Sequence, residues 1–301
     1  MDSRRIVVEP SDAGNRLDLY LSGQLELSRS AVGRLISGGL VSGVGKVKAS
    51  RVVVSGDWFD VSMPEPSEES VVPQDVPFRT VYADDWLAVV EKLAGIAVHP
   101  GAGRKDGTLV NGLVKTFGPL PGVGLRPGIV HRLDIGTSGL MVVARTPQAY
   151  LFLQREFSQR RVEKTYLALV HGWIPASQGT LDGPIGRSRY DRLKMAVRAD
   201  GRRAVTRYRT LWTRGSLSLT ACRIETGRTH QIRVHMASIG CYLDGDRLYG
   251  PKDVSRHFLE GRVFLHAWRL SFHHPSDGRT MNFRSPLPDE LIGVLKKIRS
   301  E

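Results

Sequence analysis

The sequence predicts an α+β protein in two parts: a small α/β module, then a large domain built on a mixed, largely antiparallel sheet. Three observations predict it. The chain has 301 residues, a length that suits one or two domains. The stretch PEPSEESVVPQDVP at 64–77 is acidic, rich in Pro and Ser, and without periodic apolar residues, so it reads as an extended linker. The segments after it mix strand and helix patterns without strict βαβ alternation, and no repeat of fixed period is visible. The expected boundaries are 15–62 for the small domain, 63–77 for the linker and 78–300 for the large domain.

The elements follow from local patterning. Leu17, Leu19, Tyr20 and Leu21 begin one helical face. Ser28 suits the N-cap of a second helix containing Ala31, Val32, Leu35 and Ile36, which Gly38 and Gly39 stop. Short β-like runs follow at 40–41, 52–54 and 58–61. In the large domain, 86–90 and 140–144 read as buried strands. Thr146 followed by Pro147 opens a helix toward Arg160. Residues 165–170, 217–224 and 263–272 are strand-like, 229–238 is helical and ends at Gly240, and 285–290 opens a closing helix.

Composition narrows the function. The chain is 41% hydrophobic and 24% charged, which excludes wholesale disorder. No run approaches about 20 apolar residues, so no membrane-spanning helix is expected. No apolar signal segment is visible at the N-terminus, and a cytoplasmic location is expected. Cys222 and Cys241 are too few for a disulfide framework or a four-cysteine zinc site. The formal net charge is +13, concentrated after residue 90, and Arg greatly outnumbers Lys. Such a balance fits a polyanionic partner, although GC-rich codon usage also enriches Arg.

Three islands carry the chemistry. In the first, apolar Ile129 and Val130 deliver the polar segment 131–138, and Leu140 takes the chain away. Asp134 is the acid of this loop, and Gly136 and Gly139 after it permit unusual backbone angles. It suits a fixed nucleophile or base, and equally a turn-capping acid. The second island is 225–235. Arg228 stands on a turn before the helix, where it can reach a site. Arg233 reads as a surface or RNA contact. His230 and His235 are five apart and lack the Glu of a helical zinc motif, so no metal is expected. The third is Glu163 to Val170, where Tyr166 interrupts an aliphatic strand, as half-buried strand tyrosines commonly do.

Taken together, the islands resemble a family. His131-Arg-Leu-Asp134 with Thr137-Ser-Gly, Lys164-Thr-Tyr166, the run from Thr226 to His235, Gly245-Asp-Arg-Leu-Tyr-Gly250, and Leu265-His-Ala occur in order as in RluA/RluD-type pseudouridine synthases. His99-Pro-Gly, Gly107 to Asn111 and Ser285-Pro-Leu-Pro also fit. Upstream, Arg16-Leu-Asp, Leu27-Ser-Arg-Ser, Arg34-Leu-Ile and Gly39-Leu-Val resemble the RNA-binding domain of small-subunit ribosomal protein four.

The resemblance implies isomerisation of uridine to pseudouridine in RNA, without cofactor or metal. It places the catalytic aspartate at Asp134, the active-site tyrosine at Tyr166, and the arginine partner of the aspartate at Arg228. It further implies RNA contacts at Arg29, Arg34, Lys46, Lys48, Arg132 and Arg233. Whether Asp134 acts as nucleophile at ribose or uracil, or as base, stays open at this point. Large-subunit ribosomal RNA, or the precursor ribosome, is the expected partner of a monomer. A transfer-RNA synthase and a non-enzymatic ribosome-assembly factor are the alternatives. Two departures stand out: Ile135-Gly136 replaces a charged pair, and Cys241-Tyr242 replaces His-Pro.

Overall fold

The computed structural model describes residues 3–25, 27, 29–63, 71–101, 104–122, 124–251 and 258–300. The chain divides into two compact units, Met1–Ser70 and Val71–Glu301.

The first unit carries β1 (Ser3–Val7), α1 (Leu17–Gln24), α2 (Arg29–Ser37), β2 (Val41–Gly43) and β3 (Trp58–Ser62). Its antiparallel sheet runs in the order β1-β3-β2. Ile6 and Val8 bury on one face with Leu17, Leu21, Val32, Leu35 and Phe59. The fold therefore starts before residue 15. β1 escaped the sequence reading because five residues show too little alternation to declare a strand. Ser28 lies outside the described residues, as does the side chain of Arg34. Lys46 and Lys48 are exposed between β2 and β3. Arg29 is tied to Asp18 at 2.8 Å, where Arg16 also donates at 3.0 Å. The hydrogen bonds of Arg16 and then Arg29 hold the Asp18 carboxyl well below its usual range.

Residues 71–75, expected within a free linker, dock on the second unit. Asn111 Nδ2 donates to the Val72 carbonyl at 2.8 Å, and Gln74 N donates to the Asn111 carbonyl at 3.1 Å. Val71 packs against the main core. Composition shows that a segment is extended, but not whether a neighbour takes its hydrogen bonds.

The second unit is organised by one large sheet. Its strands are β4 (Phe78–Ala83), β5 (Leu87–Lys92), β6 (Ser138–Ala144), β7 (Glu163–His171), β8 (Gln178–Asp182), β11 (Val205–Arg214), β12 (Leu217–Ile224), β13 (Tyr242–Leu243), β14 (Leu265–His273) and β15 (Thr280–Arg284). The main path is β4-β5-β6-β14-β7-β12-β11-β8, and the short β9 (Ile185–Arg187) and β10 (Met195–Val197) form a separate hairpin. All pairings in the large sheet are antiparallel except β6 with β14. The α+β expectation with a largely antiparallel sheet is met.

Helices α3 (Leu109–Phe117), α4 (Pro147–Ser158), α5 (Gln231–Ser238) and α6 (Asp289–Ser300) accompany this sheet. β6 is buried along its whole length. Met141 and Val143 join the core containing Leu109 and Leu113 of α3. Leu140 and Val142 join the opposite core, with Ala149 and Leu153 of α4. The hydroxyl of Thr146 caps α4 by accepting from Ala149 N at 3.2 Å. At the parallel seam, Gly139 has φ of 112°, and a Cβ there would come within 2.4 Å of the Ala267 carbonyl oxygen. A side chain would wedge the two strands apart, so the seam requires glycine.

Candidate active site

Three neighbouring segments of the sheet converge on one cavity. The loop 131–137 feeds into β6. β7 supplies Lys164 and Tyr166, and the segment 225–233 leads from β12 into α5. The cavity has a volume of about 590 Å³, and its wall includes Asp134, Tyr166, Arg228 and Arg233. A second cavity of about 420 Å³ shares Asp134, Arg132 and Arg233 with it. Asp134 thus stands on a partition between two hollows, with Arg132 exposed beside it.

The arginine nearest Asp134 differs from the one expected. Arg233 Nη1 stands 3.9 Å from Asp134 Oδ2. Arg228 lines the same cavity, but its Nε donates to the Arg203 carbonyl at 3.2 Å and its backbone N–H to Gln231 Oε1 at 3.0 Å. The reason is local. His230 adopts a left-handed backbone conformation with φ of 57°, which delays α5 to Gln231 and turns Arg233 inward. Arg233 is therefore not a surface residue. Its fork grips the buried Asp246, with Nε–Oδ2 at 2.7 Å and Nη2–Oδ1 at 2.8 Å. Asp246 also accepts from the backbone N–H of Leu248 and Tyr249, each at 3.1 Å. A bidentate grip of this kind fixes the guanidinium plane as well as its charge. The remaining Nη1 is aimed at Asp134.

The segment before α5 is held by Gln231. Its amide accepts from Thr226 Oγ1 at 2.7 Å and donates to the Val205 carbonyl at 2.9 Å. The turn 226–230 is thereby locked to the start of β11. His230 Nδ1 and the Tyr249 hydroxyl are 2.8 Å apart, and that hydroxyl also accepts from Met195 N at 2.8 Å. Tyr249, Asp246 and Gln231 were not singled out as site residues. The sequence signal for Asp246 and Tyr249 was the run from Gly245 to Gly250, and that for Gln231 was the run from Thr226 to His235.

Tyr166 is 7% exposed. Burial, reinforced by the negative charge of Asp134, pushes its phenol well above the ordinary value, so it stays protonated at neutral pH. Beside it, burial lowers Lys164 to about 8, and its Nζ lies 5.2 Å from the centre of the Phe157 ring. The same ring stacks on His131 at 4.6 Å. His131 Nε2 accepts from Val142 N at 3.0 Å, and burial followed by the Lys164 charge depresses it to about 3. His131 is thus a neutral brace between the loop and β6.

Beneath the loop, Lys92 is 1% exposed and donates to the carbonyls of Leu93 and Ile96 at 2.8 Å and of Ile135 at 3.2 Å. It anchors the residue next to Asp134. The unusual Ile135 offers its carbonyl to Lys92, is 51% exposed, and lines the smaller cavity. The other departure lies in packing: Tyr242 stacks on His171 at 4.8 Å, and Cys241 is buried in the main core. Among the described residues, neither lines the cavity.

Comparison with known proteins identifies the family. The RNA pseudouridylate synthase family pattern matches residues 86–238. An RNA pseudouridine synthase of Chloroflexus aurantiacus is 45% identical over 99% of this chain and 94% of its own. The ribosomal large subunit pseudouridine synthase D of Zymomonas mobilis is 42% identical over 99% of this chain and 98% of its own. Human RNA pseudouridylate synthase domain containing 1 aligns with a TM-score of 0.57 and 27% identity, over 79% of this chain and 98% of that structure. A cavity framed by Asp134, Tyr166 and Arg233, in a chain matched almost end to end by such relatives, belongs to a member of the RNA pseudouridine synthase family.

Proposed function

We propose that the protein isomerises uridine to pseudouridine in large-subunit ribosomal RNA and that Asp134 is its catalytic group. The observation carrying this reading is the position of Asp134 in the cavity, facing Arg233 and sharing the wall with buried Tyr166. The reaction breaks the bond between uracil N1 and ribose C1′, joins C5 to C1′, and moves one proton from C5 to N1. It consumes no other reactant. A site for it needs one fixed acid and an environment unfriendly to water attack. Among the described residues lining the cavity, the carboxylates are Asp134 and Glu225, and Glu225 is held by Arg207 at 2.8 Å. A hydrolase working through a pair of opposed carboxylates would not commit its second acid to an exterior arginine.

In this reading Asp134 attacks the nucleoside or removes its proton, with the Arg233 guanidinium facing its carboxylate. Tyr166, a protonated phenol, stacks on the flipped uracil. Extruding a base costs a few kcal/mol in a duplex and less in a loop, so loops and bulges are preferred targets. The small unit acts as an RNA-binding module like that of ribosomal protein four, with exposed Lys46 and Lys48 at its disposal. Arg132 contacts RNA beside the cavity. The choice of RNA rests on the relatives named for the large ribosomal subunit. The enzyme acts as a monomer in the cytoplasm.

The test is tritium release from transcripts labelled at uracil C5. Release from large-subunit ribosomal RNA, with the chain left intact, is expected. Release from transfer RNA alone, or abasic sites in place of pseudouridine, would overturn the assignment.

A further inference from the structure

Many of the described arginines are spoken for: Arg5, Arg16, Arg29, Arg51, Arg79, Arg161, Arg207, Arg223, Arg233 and Arg262 each face a carboxylate. Arg160, Arg202 and Arg228 do not, among the described residues, and all three line the larger cavity. Their meeting is dictated by sheet register. Lys164 of β7 pairs with Ile224 of β12, and Ile224 pairs with Thr206 of β11. Arg160 lies just before β7, Arg228 just after β12, and Arg202 just before β11. Three adjacent strands, spaced about 4.8 Å apart, therefore end side by side and project one guanidinium each.

Two backbone features hold this arrangement. Arg160 takes a left-handed conformation with φ of 60° as the chain leaves α4, and Arg228 is fastened to the carbonyl of Arg203, next to Arg202. The three cations sense one another, since Arg228 is pushed below its ordinary value by burial and then by the fields of Arg202 and Arg160. Like charges gathered without a counterion are unfavourable in the free protein, and an anion relieves them.

We propose that Arg160, Arg202 and Arg228 form a binding site for a single backbone phosphate of the RNA, at the edge of the cavity that takes the reacting nucleotide. The inference rests on the reading of RNA as substrate. Guanidinium forks match phosphate oxygens in pairs, and the ends of three strands give them different directions of approach. The site would set where the sugar–phosphate chain runs as it passes Asp134.

The test is binding of a fluorescently labelled octauridylate across a range of potassium chloride. One phosphate contact on a single strand contributes about 0.7 to the slope of log affinity against log salt. Replacing all three residues by Gln should flatten the slope by about 0.7, and replacing all three by Lys should leave it near that of the wild type. A change of about 2 would mean three separate contacts and would overturn the shared site. No change in the Gln variant, or a loss in the Lys variant, would equally sink it. The side chains of Arg160 and Arg202 are exposed, so folding is not at stake there. Tritium release by the wild type is scored separately. An active wild type with an unchanged slope in the Gln variant refutes the phosphate site alone, whereas an inactive wild type with the expected slopes refutes the catalytic reading alone.

Discussion

Replacing Arg233 by Met should damage stability and catalysis together. The guanidinium holds both oxygens of Asp246 at 2.7 and 2.8 Å, and Asp246 is fully buried. Removing one partner of a buried ion pair costs about 3–5 kcal/mol, because the other charge is left uncompensated. Asp246 keeps two backbone donors, Leu248 N and Tyr249 N. The lower end, about 3 kcal/mol, is therefore expected. In a unit of this size each kcal/mol moves the melting temperature by about 2–4 °C, so the shift should be about 6–12 °C. The rate should fall about a hundredfold or more, the scale seen when one charge-stabilising group is deleted. Melting followed by circular dichroism and tritium release at saturating RNA measure the two effects. Arg233→Lys should recover part of the stability, since it keeps the charge, but little of the rate, since one ammonium cannot hold Asp246 and still face Asp134. A melting point within about 2 °C of wild type in Arg233→Met would refute the buried-pair argument. A rate within about tenfold would refute the role assigned beside Asp134.

Four further outcomes can be checked. Asp134→Asn should bind octauridylate like the wild type and release no tritium; release within tenfold of wild type would end its candidacy as the catalytic group. Gly139→Ala should lose about 2–4 kcal/mol in urea unfolding, because its Cβ meets the Ala267 backbone at 2.4 Å where φ is 112°. A chain beginning at residue 71 should fold and melt higher than one beginning at residue 78, which lacks the Val71 packing and the Val72–Asn111 hydrogen bond. Burial, then the charge of Arg262, depresses Lys92 to about 7. The unfolded chain thus binds more protons between pH 7 and about 10, and stability due to this group rises with pH there, by at most about 1.4 kcal/mol per unit. The stability advantage of wild type over Lys92→Met should widen across that window, and a constant difference would show that the three carbonyls keep the ammonium charged.

The sequence disclosed much of this, unevenly. Loop 131–137, β12 and the start of α4 were legible because a turn acid, a plain apolar alternation and a Thr-Pro cap act over a few residues. The arginine facing Asp134 was not. Arg228 and Arg233 lie on one short stretch, and only the left-handed turn at His230 and the distant Asp246 decide which points inward. Both are products of packing. β11 was also hidden, because its outward positions carry Arg207 and Arg209 and its pattern resembles a charged surface segment. The docking of 71–75 depends on Asn111, a residue about forty positions away that composition cannot connect to it.

The parallel seam between β6 and β14 has a consequence for how the protein is made. It joins Ser138 to His266, residues 128 apart in sequence, whereas β11–β12 closes over a tight turn between Arg214 and Leu217. Contacts of such long range are slow to form, since the intervening loop must be closed before they contribute. During synthesis the catalytic loop is complete long before β14 leaves the ribosome, yet its supporting strand has no partner on one side. An unpaired apolar edge of that kind invites pairing with other chains. Nascent chains stopped before residue 265 should therefore aggregate or recruit chaperones, and competence to act on RNA should appear abruptly, only once the last strands of the sheet are in place.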